Sequence, residues 1–331
     1  MAPTSAAALA AIPLRPTLGA CLLGVYLSSV FYGLTLLQTY QYFYRYWSRD
    51  KIYIYVLVLV LTTLDTLCTV ANMYSMWYYL IDNYGNRATI LWVHWTVTAS
   101  LMMTVVIETL VKHFYAYRLW ILSGKKMWHL ALVIVVFTLA TLGIGTAYII
   151  LMFKNGSLLY LPKIGYLLRI GFSFSLAADI LIAGSITHIL LKGRGRGIMQ
   201  TDGILRKLVT YTISTGVLTI ICTIMVLVLG QVYRSTFYDT IFYFPLSKCY
   251  VNAMLAFLNV RDSLRGKRDT ISVNLRMADS TKSNPTRDYG TPEDQSTNTC
   301  PERKGRKLTF NKTREEATII SVTTHATTHA I

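Results

Sequence analysis

Four ionisable side chains interrupt otherwise apolar stretches of this sequence: Asp65 in LTTLDTLCTV, Glu108 in VVIETLV, Asp179 in SLAADILIAG and Lys248 in FPLSKCYVNAMLAFLNV. A charge at the centre of an apolar helix costs about 2.5–3.5 kcal/mol on membrane-insertion scales. Something in the fold must offset that cost. Three chemistries fit a lysine among carboxylates: the charges can pair with one another, the lysine can receive the acidic head of a ligand, or a carboxylate can take up a proton or cation in turn. Schiff-base chemistry at Lys248 is not expected, because Phe244 stands one turn earlier where an acidic residue is wanted.

At spacings of three and four residues these groups fall on polar stripes. Thr62, Asp65, Thr69 and Asn72 form one, and His94, Thr98, Leu101, Val105 and Glu108 share another. Gly171, Ser175 and Asp179 make a third, Tyr211, Thr215 and Thr219 a fourth, and Lys248, Asn252 and Asn259 a fifth. The pattern predicts a shared polar interior, although small and hydroxylated residues also serve close helix packing in lipid. In straight helices Asp65, Asp179 and Lys248 lie at comparable depth, so a Lys–Asp pair or triad is expected. Glu108 is placed toward the inner end of its helix. Pro245 should bend the last helix near the lysine and free a backbone carbonyl.

The elements that position these groups are apolar helices. Of 331 residues, 53% are hydrophobic and 15% charged, against about 25% charged in a soluble domain, and mean hydropathy is +0.42. Stretches long enough to span a bilayer occur near 18–44, 52–80, 89–111, 128–153, 166–191, 207–231 and 238–260. The fold class expected is an all-α membrane protein, a seven-transmembrane-helix bundle over 18–260. A short N-terminal tail, 1–17, precedes it, and a disordered basic Ser/Thr-rich tail, 261–331, follows. The first stretch is too long for a signal peptide's apolar core and lacks a basic start, so it reads as a retained helix.

Lysine and arginine distribution sets the orientation. Arg45, Arg49 and Lys51, then Lys112, Arg118, Lys125 and Lys126, then Lys192, Arg194, Arg196, Arg206 and Lys207, then Arg261, Arg265, Lys267 and Arg268 fall on one side. Only Arg15, Arg87, Lys154, Lys163, Arg169 and Arg234 fall on the other. The expected topology is N-terminus outside and C-terminus cytoplasmic. Asn155-Gly156-Ser157 is a glycosylation sequon in a predicted outer loop, which agrees, whereas the sequon at Asn311 falls in the inner tail.

The net charge of +16 sits beside apolar helices, so the expected partner is membrane lipid, with anionic inner-leaflet lipid at the basic loops and tail, rather than nucleic acid. Aromatic clusters at Thr39–Trp47 and Met76–Leu80 read as interfacial anchors. The five cysteines, Cys21, Cys68, Cys222, Cys249 and Cys300, include none in an outer loop, and no disulfide is expected. No HExxH, GxSxG or P-loop motif occurs, and GRGRG at Gly193–Gly197 follows a membrane helix rather than a strand. His113, His129 and His188 fall near one membrane face, but the zinc-dependent seven-helix hydrolases draw histidines from their last helix, which has none here. No enzyme activity and no cofactor or metal is expected.

Six segments in order, YGLTLLQTYQYFYRY, LTTLDTLCTV, FYAYRLWILSGK, SLAADILIAGSITHIL, TDGILRKLVTYTISTGVLT and LSKCYVNAMLAFLNVR, carry a resemblance. The chain from Leu18 to Lys267 resembles a family of seven-helix membrane proteins of basidiomycete fungi defined by a domain of unknown function. The resemblance implies that Asp65, Asp179, Lys248, Asn252, Asn259 and Arg261 belong to the family's pattern. GRGRGIMQ before Thr201 departs from that pattern. The function expected is a receptor-like or sensor protein with a polar intramembrane cluster, at the plasma membrane or another endomembrane, with an unidentified small ligand. A transporter or channel using Asp65, Asp179 and Lys248 as a relay is the alternative, and a structural membrane protein the third.

Overall fold

The computed structural model describes residues 15–46, 51–157, 160–193, 202–233 and 236–259, all within the first of two compact units, Met1–Ser280. The expected tail from 261, the segment GRGRGIMQ beyond Gly193, the side chains of Tyr211 and Thr215, Cys300 and the Asn311 sequon lie outside the described residues.

Seven helices follow one another: α1 Ala20–Tyr46, α2 Ile52–Trp77, α3 Trp95–Leu122, α4 Trp128–Asn155, α5 Leu161–Gly193 and α6 Asp202–Val232, then α7 Thr240–Asn259. Among the described residues there is no strand, only an isolated bridge between Trp92 and Ser157. Six helical segments among the described residues are long and apolar enough to cross a membrane: Pro16–Tyr46, Ile52–Asp82, Trp95–Leu122, Trp128–Asn155, Lys163–Ile189 and Thr240–Asn259. Within α6 the apolar segment, Gly216–Val232, is shorter. Each helix from α1 to α5 packs on the next, and α3 also packs on α5.

Burial separates the helices by role. Within its apolar window α7 is 72% buried, whereas α4 is 17% buried, so α7 is a core element and α4 the least buried of the apolar helices. α7 runs parallel to α1, tied to it by three polar bonds that rise together along both helices. Ser28 Oγ donates to Phe244 O (3.1 Å), Asn252 Nδ2 to Phe31 O (3.0 Å) and Asn259 Nδ2 to Gln38 O (2.9 Å). The two asparagines are one heptad apart, as are their acceptors, and so meet the same face. Side-chain amides reaching backbone carbonyls are a common glue between helices in lipid.

Two boundaries differ from those expected. Residues 89–94 are not part of α3, since Asn86 caps a short 3-10 turn, Arg87–Leu91, and His94 caps α3 by accepting from Thr96 N. α3 instead runs on to Leu122, which moves Glu108 from the expected inner end to mid-helix and draws Lys112 into the span. Likewise Tyr42 and Tyr46, expected as interfacial anchors, are buried, while Tyr40 and Tyr44 on the other face of α1 are exposed. α7 stays helical through Pro245.

α1 and α7 approach most closely at Gly24, where a Cβ would lie 2.7 Å from Thr240 O and 2.8 Å from Phe244 Cδ2. Backbone on one side leaves little room to yield. Gly24→Ala should therefore destabilise the protein by roughly 1–3 kcal/mol, read as a lowered midpoint of thermal unfolding in detergent. Gly33→Ala, in the same helix with nothing within 4 Å of the new methyl, should be neutral or stabilising.

Candidate functional site

The buried charges form two separate nodes, both anchored on α7. In the first, Lys248 Nζ of α7 lies 3.0 Å from Asp65 Oδ1 of α2, and both side chains are fully buried. Ser247 Oγ donates to the same carboxylate oxygen (3.3 Å) and accepts from Lys248 Nζ (3.1 Å). A charge-assisted bond between fully desolvated partners offsets the cost each would carry alone.

The second node centres on a lysine that the sequence reading assigns to the cytoplasmic margin. Lys112 of α3 is 1% exposed. Its Nζ donates to Glu108 Oε1 one turn earlier (2.7 Å), and to Ser175 O (3.0 Å) and Oγ (2.8 Å) of α5. It also lies 3.2 Å from Asp179 Oδ1. Tyr250 of α7 donates to Asp179 Oδ2 (2.6 Å), Ser175 Oγ donates to Glu108 Oε1 (2.5 Å), and the Tyr250 ring sits 5.3 Å from the ammonium. One ammonium thus serves two carboxylates, and two hydroxyls supply the remaining donors. Asp179 and Asp65 do not share Lys248, so of the expected pair or triad the pair Lys248–Asp65 forms, and Asp179 is bound by Lys112 instead.

The geometry of α7 explains the division. Lys248 and Tyr250 are two positions apart, roughly 200° around a helix, so one faces α2 and the other faces α3 and α5. Of the other expected site residues, Asn252 tethers α7 to α1 rather than joining either node. Asn155, the expected glycosylation site, is exposed at the last turn of α4, where its amide donates to Leu151 O (2.7 Å). His113 Nδ1 is within 2.8 Å of Thr109 O, and the His129 ring lies tilted against Trp128.

Sequence reasoning missed Lys112, Ser247 and Tyr250, and with them a cavity. At the end of the bundle where α1 begins, a cavity of about 180 Å³ is lined by residues of α1 to α5, the start of α7 and the segments beside them. Two π-helical turns flank it, Arg15–Gly19 before α1 and Tyr78–Asp82 after α2, and such turns recur at functional sites. The wall is braced by polar bonds: Tyr79 OH donates to Trp92 O and accepts from His94 N, and Phe237 N donates to Pro16 O. A smaller cavity of about 60 Å³ shares Leu101, Tyr148, Leu168, Phe172 and Tyr243 with it and reaches Glu108 of the second node.

Asp239 lines the larger cavity just before α7. Burial pushes its carboxyl up to about 6, against the downward pull of backbone N–H groups at Asp239 and Thr240. Its neutral form therefore contributes stability that is complete below about pH 4 and is lost as the pH rises through about 6, at most about 3 kcal/mol. Thermal stability of the wild type relative to Asp239→Asn should fall across that window and be flat outside it.

The second node makes a sharper forecast. Lys112→Met leaves two buried carboxylates without their cation and should cost several kcal/mol, seen as a large drop in unfolding temperature. Adding Glu108→Gln and Asp179→Asn together should restore most of the loss, and either alone only part.

No curated protein and no solved structure matches the chain. Residues 175–263 match the signature described as Family of unknown function (DUF6534). That stretch runs from Ser175 through Asp179, α6 and Lys248 to the end of α7, so the α5 and α7 contributions to both nodes lie in the matched stretch, and their partners Asp65, Glu108 and Lys112 lie before it.

Proposed function

We propose that the protein is a seven-span membrane sensor, N-terminus outside and C-terminus cytoplasmic, that takes a small ligand into the outer cavity and reports it through α7. The observation that carries this reading is the position of α7. Its first turns, from Thr240 to Phe244, form part of the cavity wall. Its middle carries Lys248 and Tyr250, one to each buried node, and its far end leads into the basic Ser/Thr-rich tail. A ligand that shifts the start of α7 must therefore work against both nodes, and interfaces of this kind tend to move between discrete arrangements. α6, at 31 residues, is long enough to serve as the seventh span. The basic residues of the inner loops and tail hold the protein against anionic inner-leaflet lipid. The fungal plasma membrane is the location that fits the family resemblance.

The rival, a transporter relaying charge among Asp65, Asp179 and Lys248, is disfavoured because each aspartate is closed on its own lysine. Hydrogen–deuterium exchange separates the two. A compound that raises the thermal stability of the reconstituted protein should change amide exchange in the half of α7 remote from the cavity. Unchanged exchange there, together with uptake of the compound into proteoliposomes, would contradict the sensor and favour the transporter.

A further inference from the structure

We propose that the outer cavity is an ammonium site, taking a small apolar molecule that ends in a cationic amine. The inference rests on the reading of this cavity as the ligand site and adds the chemistry of the ligand. The wall is largely apolar, and six of its residues are aromatic: Tyr79, Tyr148, Phe172, Phe237, Tyr243 and Phe244. Among the described lining residues Asp239 is the sole carboxylate, and none is Lys, Arg or His. Aromatic rings attract a cation to their faces, and a carboxylate in a poorly hydrated site pairs with it strongly. An anionic head would meet no cation among the described lining residues and would face Asp239. A neutral apolar molecule would fill the space but bring no counter-charge to Asp239, whereas pocket polar groups are few and fix the orientation of what binds.

Several other polar groups of the wall already have partners. Tyr79 is bonded to Trp92 and His94, Ser75 Oγ to Ala71 O and Thr96 Oγ1, and Thr240 Oγ1 to Phe237 O. The carboxylate of Asp239 is thus the natural seat of a charged head, with the apolar body extending toward Val97 and Leu101. A volume of about 180 Å³ admits a molecule of the order of ten non-hydrogen atoms.

Hexyltrimethylammonium has that size, and its charge does not depend on pH. Isothermal titration calorimetry on the full-length protein in nonionic detergent at neutral pH would compare it with hexanesulfonate and 1-heptanol. The expected result is saturable binding of the ammonium, no binding of the sulfonate, and at least a tenfold loss of ammonium affinity in Asp239→Asn with heptanol binding retained. Val97→Phe, which fills the cavity and leaves Asp239 in place, should abolish binding of both, and keeps the test decisive if the Asp239 variant does not fold. No ammonium binding to folded wild type up to about 10 mM, equal binding of the sulfonate, or ammonium binding indifferent to either substitution would overturn the proposal. Asp239-dependent binding without altered exchange in α7 would sustain the ammonium site while defeating the sensor.

Discussion

An ammonium group taken out of water needs a carboxylate within reach, and this bundle is organised around meeting that need twice. Lys248 and Lys112 are both almost wholly buried, on helices that do not adjoin in sequence. Their partners draw α2, α3, α5 and α7 together. Apolar packing alone does not dictate this arrangement, because in lipid a leucine gains little by facing another helix rather than an acyl chain. Charge pairing does, since every misrotation of α7 would leave at least one group desolvated and alone. The asparagine tethers to α1 add a second restraint on the same helix, and Gly24 lets the two backbones approach at one end.

Much of this was legible in the sequence, and the part that was not has a physical reason. Asp65, Asp179 and Lys248 stand out because no other residue type is so costly in an apolar run. Their depth was legible too, since helical rise fixes it. Partner choice was not, because it depends on the rotation of each helix, and periodicity locates a face without saying which neighbour it meets. Lys112 escaped for another reason. Followed by His113 and by tyrosines and an arginine, it reads as an interfacial residue, and ending α3 near Val111 hides the Glu108–Lys112 pair one turn apart that marks a helical ion pair. The tyrosines of α1 mislead similarly, since composition suggests a belt but alternate members turn inward.

The cavity was invisible in the sequence because it is assembled from the ends of several helices and the segments joining them. Its residues, among them Leu18, Asn72, Val97, Met152 and Asp239, share no motif or spacing. What makes it more than a packing defect is its company. Two π-helical turns and a set of satisfied polar bonds brace its wall, and the start of the most buried helix borders it. The proposed site at one end of α7 and two charge nodes along its length would place ligand chemistry and structural restraint on a single element. α4, the least buried of the apolar helices, contributes Tyr148 and Met152 to the wall.

The central claim is that Lys248 belongs to Asp65 and not to Asp179. Double-mutant cycles in thermal or chemical unfolding test it directly, pairing Lys248→Met with Asp65→Asn in one cycle and with Asp179→Asn in the other. The account predicts a coupling of about 1–3 kcal/mol for the Asp65 cycle and near additivity, within about 0.5 kcal/mol, for the Asp179 cycle. Equal couplings, or a larger one with Asp179, would contradict it.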